Sequence, residues 1–253
     1  MIRFENISKR FGKLEVLKDI NIAFNKGQSI AIVGPNGSGK TTLIKILLGM
    51  VIPNSGKLFF NEIWINKDHK YRGDIGYMPQ ISQYPPNLKI SQLLEMMTDI
   101  RTNSGWSGTP DDDLLKAFDI ANIQNKTMSS LSGGTRQKVG AALAFRFNPN
   151  VLILDEPTAG LDPASCEILK EKIQKERAKG KLIIITSHIM ADLEELTDHV
   201  LYIQDAHIQF FEKTDNLRSK YKEDKLGKII ANLMKNKGEI KTPKLKTTEN
   251  ITL

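Results

Sequence analysis

Gly34-Pro35-Asn36-Gly37-Ser38-Gly39-Lys40-Thr41 follows an apolar run, Ile30-Ala31-Ile32-Val33, and is followed by a helical pattern over Thr42–Leu48. A strand, a glycine-rich turn and a helix in that order form a cradle for a polyphosphate. The glycines let consecutive N–H groups point inward without a Cβ clash, and the helix N-terminus adds partial positive charge. Lys40 is placed to reach the outer phosphates, and Thr41 offers a hydroxyl to Mg²⁺.

Three more short apolar runs resemble Ser29–Val33: Ile75–Met78, Val151–Leu154 and Leu182–Ile185. Uninterrupted runs of this kind suit a parallel sheet covered on both faces. Each ends in residues suited to chemistry: the glycine turn, Gln80, the pair Asp155-Glu156, and Ser187-His188. In open α/β sheets ligands bind beyond the carboxyl ends of the strands, so these four segments are expected to converge on one nucleotide. Two adjacent carboxylates after an apolar strand call for a compensating cation. Asp155 is the expected Mg²⁺ holder, and Glu156 the group that accepts a proton from, or orients, the attacking water.

Outside this core, Ile2–Phe24 and Gly56–Ile65, with a turn at Asn61-Glu62, alternate more loosely and predict an antiparallel layer. From Ser91 to Phe147 the pattern is helical. Thr109-Pro110-Asp111-Asp112 predicts one helix start, and Asp162-Pro163 predicts another helix running to about Lys179 and stopping at Gly180. Leu131-Ser132-Gly133-Gly134-Thr135-Arg136-Gln137 is a second glycine turn opening a helix that Ser132 can cap. Its anion-seeking end serves either the same nucleotide within one subunit or a nucleotide held by another copy.

The 253 residues carry a formal charge of +7, one cysteine (Cys166) and four histidines. The charge is concentrated late in the chain: from Lys213 onward eleven basic residues face five acids, which accounts for +6. The body 1–212 is nearly neutral and offers no basic face for DNA or RNA. A lone cysteine excludes an internal disulfide and a thiolate metal site. No apolar run approaches the roughly 18 residues that cross a bilayer, and Met1–Glu5 starts no signal peptide, so a cytoplasmic location is expected. Leu226–Met234 is the one apolar stretch of the lysine-rich end, a candidate short helix, and Lys235–Leu253 is expected to be disordered.

Taken in order, these motifs resemble the nucleotide-binding subunit of an ATP-binding-cassette (ABC) transporter, over about Met1 to Glu212. The resemblance implies an α/β fold with a P-loop NTPase (RecA-like) core, an antiparallel β layer and a helical subdomain at about 82–147, followed by a basic extension, 213–253. It implies Mg²⁺-dependent ATP hydrolysis by a homodimer whose Ser-Gly-Gly turns each complete the partner's site. Carried over position by position, Phe11 would stack on adenine, and Gly34, Pro35, Asn36, Gly37, Ser38, Gly39, Lys40, Thr41 and Thr42 would hold the phosphates. Gln80 would touch Mg²⁺ and the attacking water, beside the metal carboxylate Asp155 and the base Glu156. Ser132, Gly133 and Gly134 would meet the partner's γ-phosphate, Ala159–Asp162 would link the two sites, and His188 would bond the γ-phosphate.

Integral membrane permease subunits are the implied partners, and the cytoplasmic face of the inner membrane the implied location. The family usually has glutamine at Thr135. The stretches Tyr77-Met78-Pro79-Gln80, Tyr84-Pro85-Pro86-Asn87 and Leu131–Phe145 resemble more narrowly the ATPase subunit of a copper-type transporter used in nitrous-oxide reductase maturation. That narrower likeness adds a periplasmic accessory protein to the implied partners. Two other classes compete with a transport motor. A soluble ABC-type ATPase of nucleic acid or translation usually has two cassettes or a long inserted coiled coil, absent here. A binding-only regulatory cassette would be expected to have lost Lys40 or Glu156, and both are present.

Overall fold

The computed structural model describes residues 1–66 and 68–235. Two sheets organise the chain. β1 (Ile2–Phe11), β2 (Leu14–Phe24), β4 (Ser55–Phe60) and β5 (Ile63–Trp64) form an antiparallel sheet of order β2-β1-β4-β5. Asn61 and Glu62 close the β4–β5 hairpin, both with positive φ, as a two-residue turn matching strand twist requires.

The larger sheet has the order β10-β9-β3-β8-β7-β6. Its members are β3 (Ser29–Val33), β6 (Ile75–Met78), β7 (Val151–Asp155), β8 (Leu182–Thr186), β9 (His199–Gln204) and β10 (His207–Lys213). All pairings are parallel except β9–β10. The four apolar runs become β3, β6, β7 and β8, as their composition predicts. β9 and β10 are additional.

Alternate side chains of the parallel strands feed two cores, because successive residues face opposite sides of a sheet. Ile30 and Ile32 of β3 join Phe4, Leu17 and Phe24 of the antiparallel sheet, together with Leu43, Ile44 and Leu47 of α1 (Lys40–Leu47). Ala31 and Val33 face the opposite side. There they join side chains of α2 (Ile90–Asn103), α3 (Asp113–Ala117), α4 (Gly133–Arg146), α5 (Pro163–Ala178) and α6 (Met190–Leu196).

Asp162 caps α5 by accepting from Ser165 N at 2.9 Å, Pro163 takes the first position, and Gly180 turns away at φ +77°. The helix start expected at Thr109 does not form, and α3 begins only at Asp113. Asp111 and Asp112 are engaged elsewhere: Asp111 pairs with Lys172 of α5 at 2.5 Å and Asp112 with Arg146 of α4. Those long-range ion pairs displace local capping.

The boundary expected near Glu212 falls inside β10. Beyond it, α7 (Thr214–Tyr221) and α8 (Leu226–Lys235) fold back onto the body. Leu217, Leu226, Ile229, Ile230 and Leu233 are buried in the same core as Leu193 and Leu196 of α6. The rest of the stretch expected to be disordered, 236–253, lies outside the described residues.

Candidate functional site: a cleft at the carboxyl ends of the parallel strands

The phosphate-type turn leaves β3 and enters α1 with Lys40 and Thr41 already in the first helical turn. Gly39, at φ +106°, occupies the N-cap without a side-chain bond. A Cβ there would lie 2.6 Å from the Val16 carbonyl oxygen, so only glycine allows this approach. The free N–H groups of the first turn face outward with the positive end of the helix dipole. Lys40 Nζ curls over the turn, donating to Gly34 O at 2.7 Å and Pro35 O at 3.0 Å. Burial pushes its ammonium down from the ordinary lysine value, against the pull of Glu156 and Asp155.

Next to β3 in the sheet, β8 and then β7 and β6 bring the other strand ends alongside. The β7–β8 register sets Asp155 opposite Thr186, and Thr186 Oγ1 bonds Asp155 Oδ1. Glu156 leaves β7 at φ +53° and is 7% exposed. Its N–H donates to Thr186 O at 3.0 Å, and its Oε2 accepts from His188 N at 3.2 Å. His188 Nε2 stands 3.4 Å from Glu156 Oε1, with the imidazole largely in solvent. Burial pushes the Glu156 carboxyl up, and the His188 N–H opposes the shift. On β6, the Tyr77 phenol is pushed up to about 12, by burial and then by Asp155.

Phe11, Asn36 to Thr42, Gln80, Asp155, Glu156 and His188 line a cleft of about 460 Å³. Thr186, Leu14 and Val16 also line it, and sequence reasoning did not place them there. Phe11 ends β1 at the rim, 51% exposed, with Lys9 Nζ 4.9 Å from its ring centre. Such a half-exposed ring is available for stacking. Ser38 Oγ is buried without a hydrogen-bond partner, as suits a donor reserved for a bound anion. Among the described residues no group of three or more His, Cys, Asp or Glu side chains could hold a metal. The cleft instead offers one or two carboxylates with Thr41 and Gln80 oxygens. That hard, incomplete oxygen set fits Mg²⁺ completed by substrate phosphates.

Ser132, Gly133 and Gly134 are absent from the cleft lining. Ser132 caps α4, accepting from Thr135 N at 3.2 Å, and exchanges a 2.8 Å bond with the Thr135 hydroxyl. A Cβ on Gly134 would meet Gly160 O at 2.7 Å, so this turn packs against the loop after Glu156. Ser132 and Gly133 face solvent. Of the two anion-seeking helix ends, only the first belongs to this chain's own cleft.

A strand-turn-helix phosphate cradle beside strand-end carboxylates, under an antiparallel sheet and a helical arm, defines a nucleoside-triphosphate-binding cassette. The ABC transporter family model (ABC_tran) matches residues 17–159, more than half the chain. The chain is 34% identical over 209 residues to the lantibiotic transport ATP-binding protein SrtF of Streptococcus pyogenes, covering 82% of this chain and 89% of that protein. It is 32% identical over 246 residues to the arginine transport ATP-binding protein ArtM of Bacillus subtilis, covering 91% and 100%. A solved ATP-binding subunit of an ABC transporter superposes with TM-score 0.84 at 25% identity, covering 92% of this chain and 99% of that one. A dimeric bacterial ABC transporter cassette does so with TM-score 0.72 at 25% identity, covering 84% and 98%. The chain belongs to the ABC transporter family as an ATP-binding subunit, and it is an ATPase that uses ATP with Mg²⁺.

Proposed function

We propose that this chain is the motor of a transporter, working as a homodimer that closes on two MgATP molecules and drives separate integral membrane subunits. The observation that carries the reading is the separation of the two anion-seeking helix ends. Asn36 to Thr42 of the phosphate turn line the cleft, while Ser132 and Gly133 of the second turn lie outside it and face solvent, which suits a second copy supplying the missing wall. The dimeric cassette among the solved relatives supports the same arrangement.

In this reading Phe11 stacks on adenine, and Lys40, with the N–H groups of Gly34, Asn36, Gly37, Ser38, Gly39, Thr41 and Thr42, holds the β- and γ-phosphates, while Pro35, which has no N–H, fixes the turn. Thr41, Asp155 and Gln80 hold Mg²⁺, which when bound neutralises charge on the phosphate oxygens. Glu156 accepts the proton of the attacking water at a carboxylate oxygen, and its raised pKa makes it a better base. His188 donates toward the γ-phosphate. Gln80, on the loop after β6, aligns the water.

Residues 1–212 are read as the cassette, 82–147 as its helical arm and 213–253 as an extension whose first part folds onto the body. The arm between Gln80 and Arg101 is the proposed contact with the membrane subunits, where Ile81, Met96 and Ile100 are exposed. Tyr84 in this segment packs against the core, whereas Pro85 and Pro86 stay at the surface. No helix among the described residues is long and apolar enough to cross a membrane. Docked on separate membrane subunits, it would sit peripherally, on the cytoplasmic face of the inner membrane. The copper-centre role and the periplasmic accessory protein rest on the narrower sequence resemblance alone, and the relatives above do not support them. A nucleic-acid-directed ATPase is not favoured.

Fractionation tests the motor reading. The chain is expected to move to membranes and copurify with an integral membrane protein. Cofractionation with ribosomes or DNA instead would refute it.

A further inference from the structure

The loops leaving β7 and β8 are joined twice. The first tie, Glu156 to His188, lies in the cleft. The second lies behind it: Thr158, two residues after Glu156, donates from Oγ1 to Oδ2 of Asp192, four residues after His188, at 2.5 Å. Thr158 and Asp192 are each 5% exposed. The other carboxylate oxygen of Asp192 faces Lys170 Nζ of α5 at 3.1 Å, and that lysine also reaches Glu195 Oε2 at 3.0 Å. Every charge in the cluster is thus paired, as burial requires.

The cleft tie alone is a weak constraint. Its bonds are 3.2 and 3.4 Å long, and the His188 ring is 66% exposed, so water competes for it. Glu156 meanwhile holds φ +53°, a conformation that an L side chain keeps only when its surroundings enforce it. Thr158 supplies that enforcement. It lies inside the turn that Ala159 N closes by donating to Glu156 O at 3.2 Å, its own carbonyl accepts from Leu161 N at 3.2 Å in the next turn, and its hydroxyl is fixed to α6 through Asp192.

We propose that Asp192, acting through Thr158, is a positioning residue that sets the Glu156 carboxylate against the His188 segment for hydrolysis. Neither side chain lines the cleft, so the pair acts on the rate of the chemical step and not on nucleotide affinity. The proposal rests on the reading of Glu156 as the base.

Thr158→Val removes the hydroxyl at nearly constant shape. It is expected to lower kcat for ATP about tenfold, since misplacing a reacting group by ~1 Å costs up to about 100-fold. KM for MgATP should stay within about twofold, because uniform binding is untouched. Thr158→Ser restores the donor and is expected to return kcat to within about threefold of wild type. If Thr158→Val does not fold, Thr158→Ala, which opens space instead of filling it, reads the same kcat-to-KM split. Wild-type kcat in the valine or alanine variant, a matching rise in KM, or failure of serine to rescue would overturn the positioning role. Glu156→Gln runs alongside as control. If it hydrolyses ATP normally, the base assignment itself falls; if it is inactive while Thr158→Val is normal, only the role of Asp192 falls.

Discussion

Ile230→Ala probes whether the end of the chain is part of the cassette's folded core. Ile230 is 1% exposed, among Leu226 at 0%, Ile229 at 1% and Leu233 at 6%, in the core that also holds Leu193 and Leu196 of α6. Truncating a buried isoleucine to alanine costs about 2–5 kcal/mol when the cavity does not collapse. In a domain of this size each kcal/mol lowers Tm by about 2–4 °C, so a fall on the order of 4–20 °C is expected. Deleting 226–253 removes four such side chains, each contributing about 1.5–3 kcal/mol, on the order of 6–12 kcal/mol together. A typical domain has only about 5–15 kcal/mol in total, so that truncation should not accumulate as a stable protein. Deleting 236–253 should leave Tm and hydrolysis unchanged. Thermal unfolding followed by circular dichroism without nucleotide, which would otherwise add its own stabilisation, measures Ile230→Ala and the 236–253 deletion, and the yield of soluble protein reads the 226–253 deletion. A Tm for Ile230→Ala within about 1 °C of wild type would refute the packing of α8 on α6.

Lys40→Ala should fold normally, since the ammonium bonds only two turn carbonyls, yet lose most affinity for MgATP. Calorimetric binding at wild-type strength would contradict the phosphate assignment. The base must be deprotonated to act, and burial raises the Glu156 pKa above 4.5, so kcat/KM should rise with pH through an acid limb above that value. The same shift favours the protonated carboxyl in the fold, so its stabilising contribution is present at low pH and fades as pH rises through the folded pKa. A pH–rate profile with its acid limb at or below 4.5 would argue against Glu156. Ser132→Arg should be inactive alone, and mixing it with Lys40→Ala should restore part of the activity through heterodimers holding one intact site. Normal hydrolysis by Ser132→Arg alone would remove the second turn from the site.

Local signals carried much of this structure. The apolar runs of β3, β6, β7 and β8 and the glycines of the phosphate turn specify backbone states that depend little on distant partners. β9 carries a comparable buried run, Val200 to Ile203, but its hairpin turns on Asp205-Ala206, which lacks the Asp-Gly or Asn-Gly signature of such turns. Leu226, Ile229, Ile230 and Leu233 fall at i, i+3, i+4 and i+7, a stripe that marks the short helix expected there, but its burial against α6 depends on partners about 30 residues away that no local pattern reveals. The helix start at Thr109 misled because Lys172 and Arg146, which take up Asp111 and Asp112, lie 61 and 34 residues away. In the site, each motif could be read alone. The lateral order β3-β8-β7-β6, which sets Thr186 beside Asp155 and His188 beside Glu156, exists only after folding.

The central claim, that this cleft hydrolyses ATP between two copies of the chain with Glu156 as the base, is tested most directly by Glu156→Gln. The amide keeps the shape of the side chain but cannot take the proton of the attacking water. With MgATP the variant should elute from size-exclusion chromatography as a dimer while its turnover falls to near background. A monomeric elution together with near-normal turnover would contradict both the shared site and the role of Glu156.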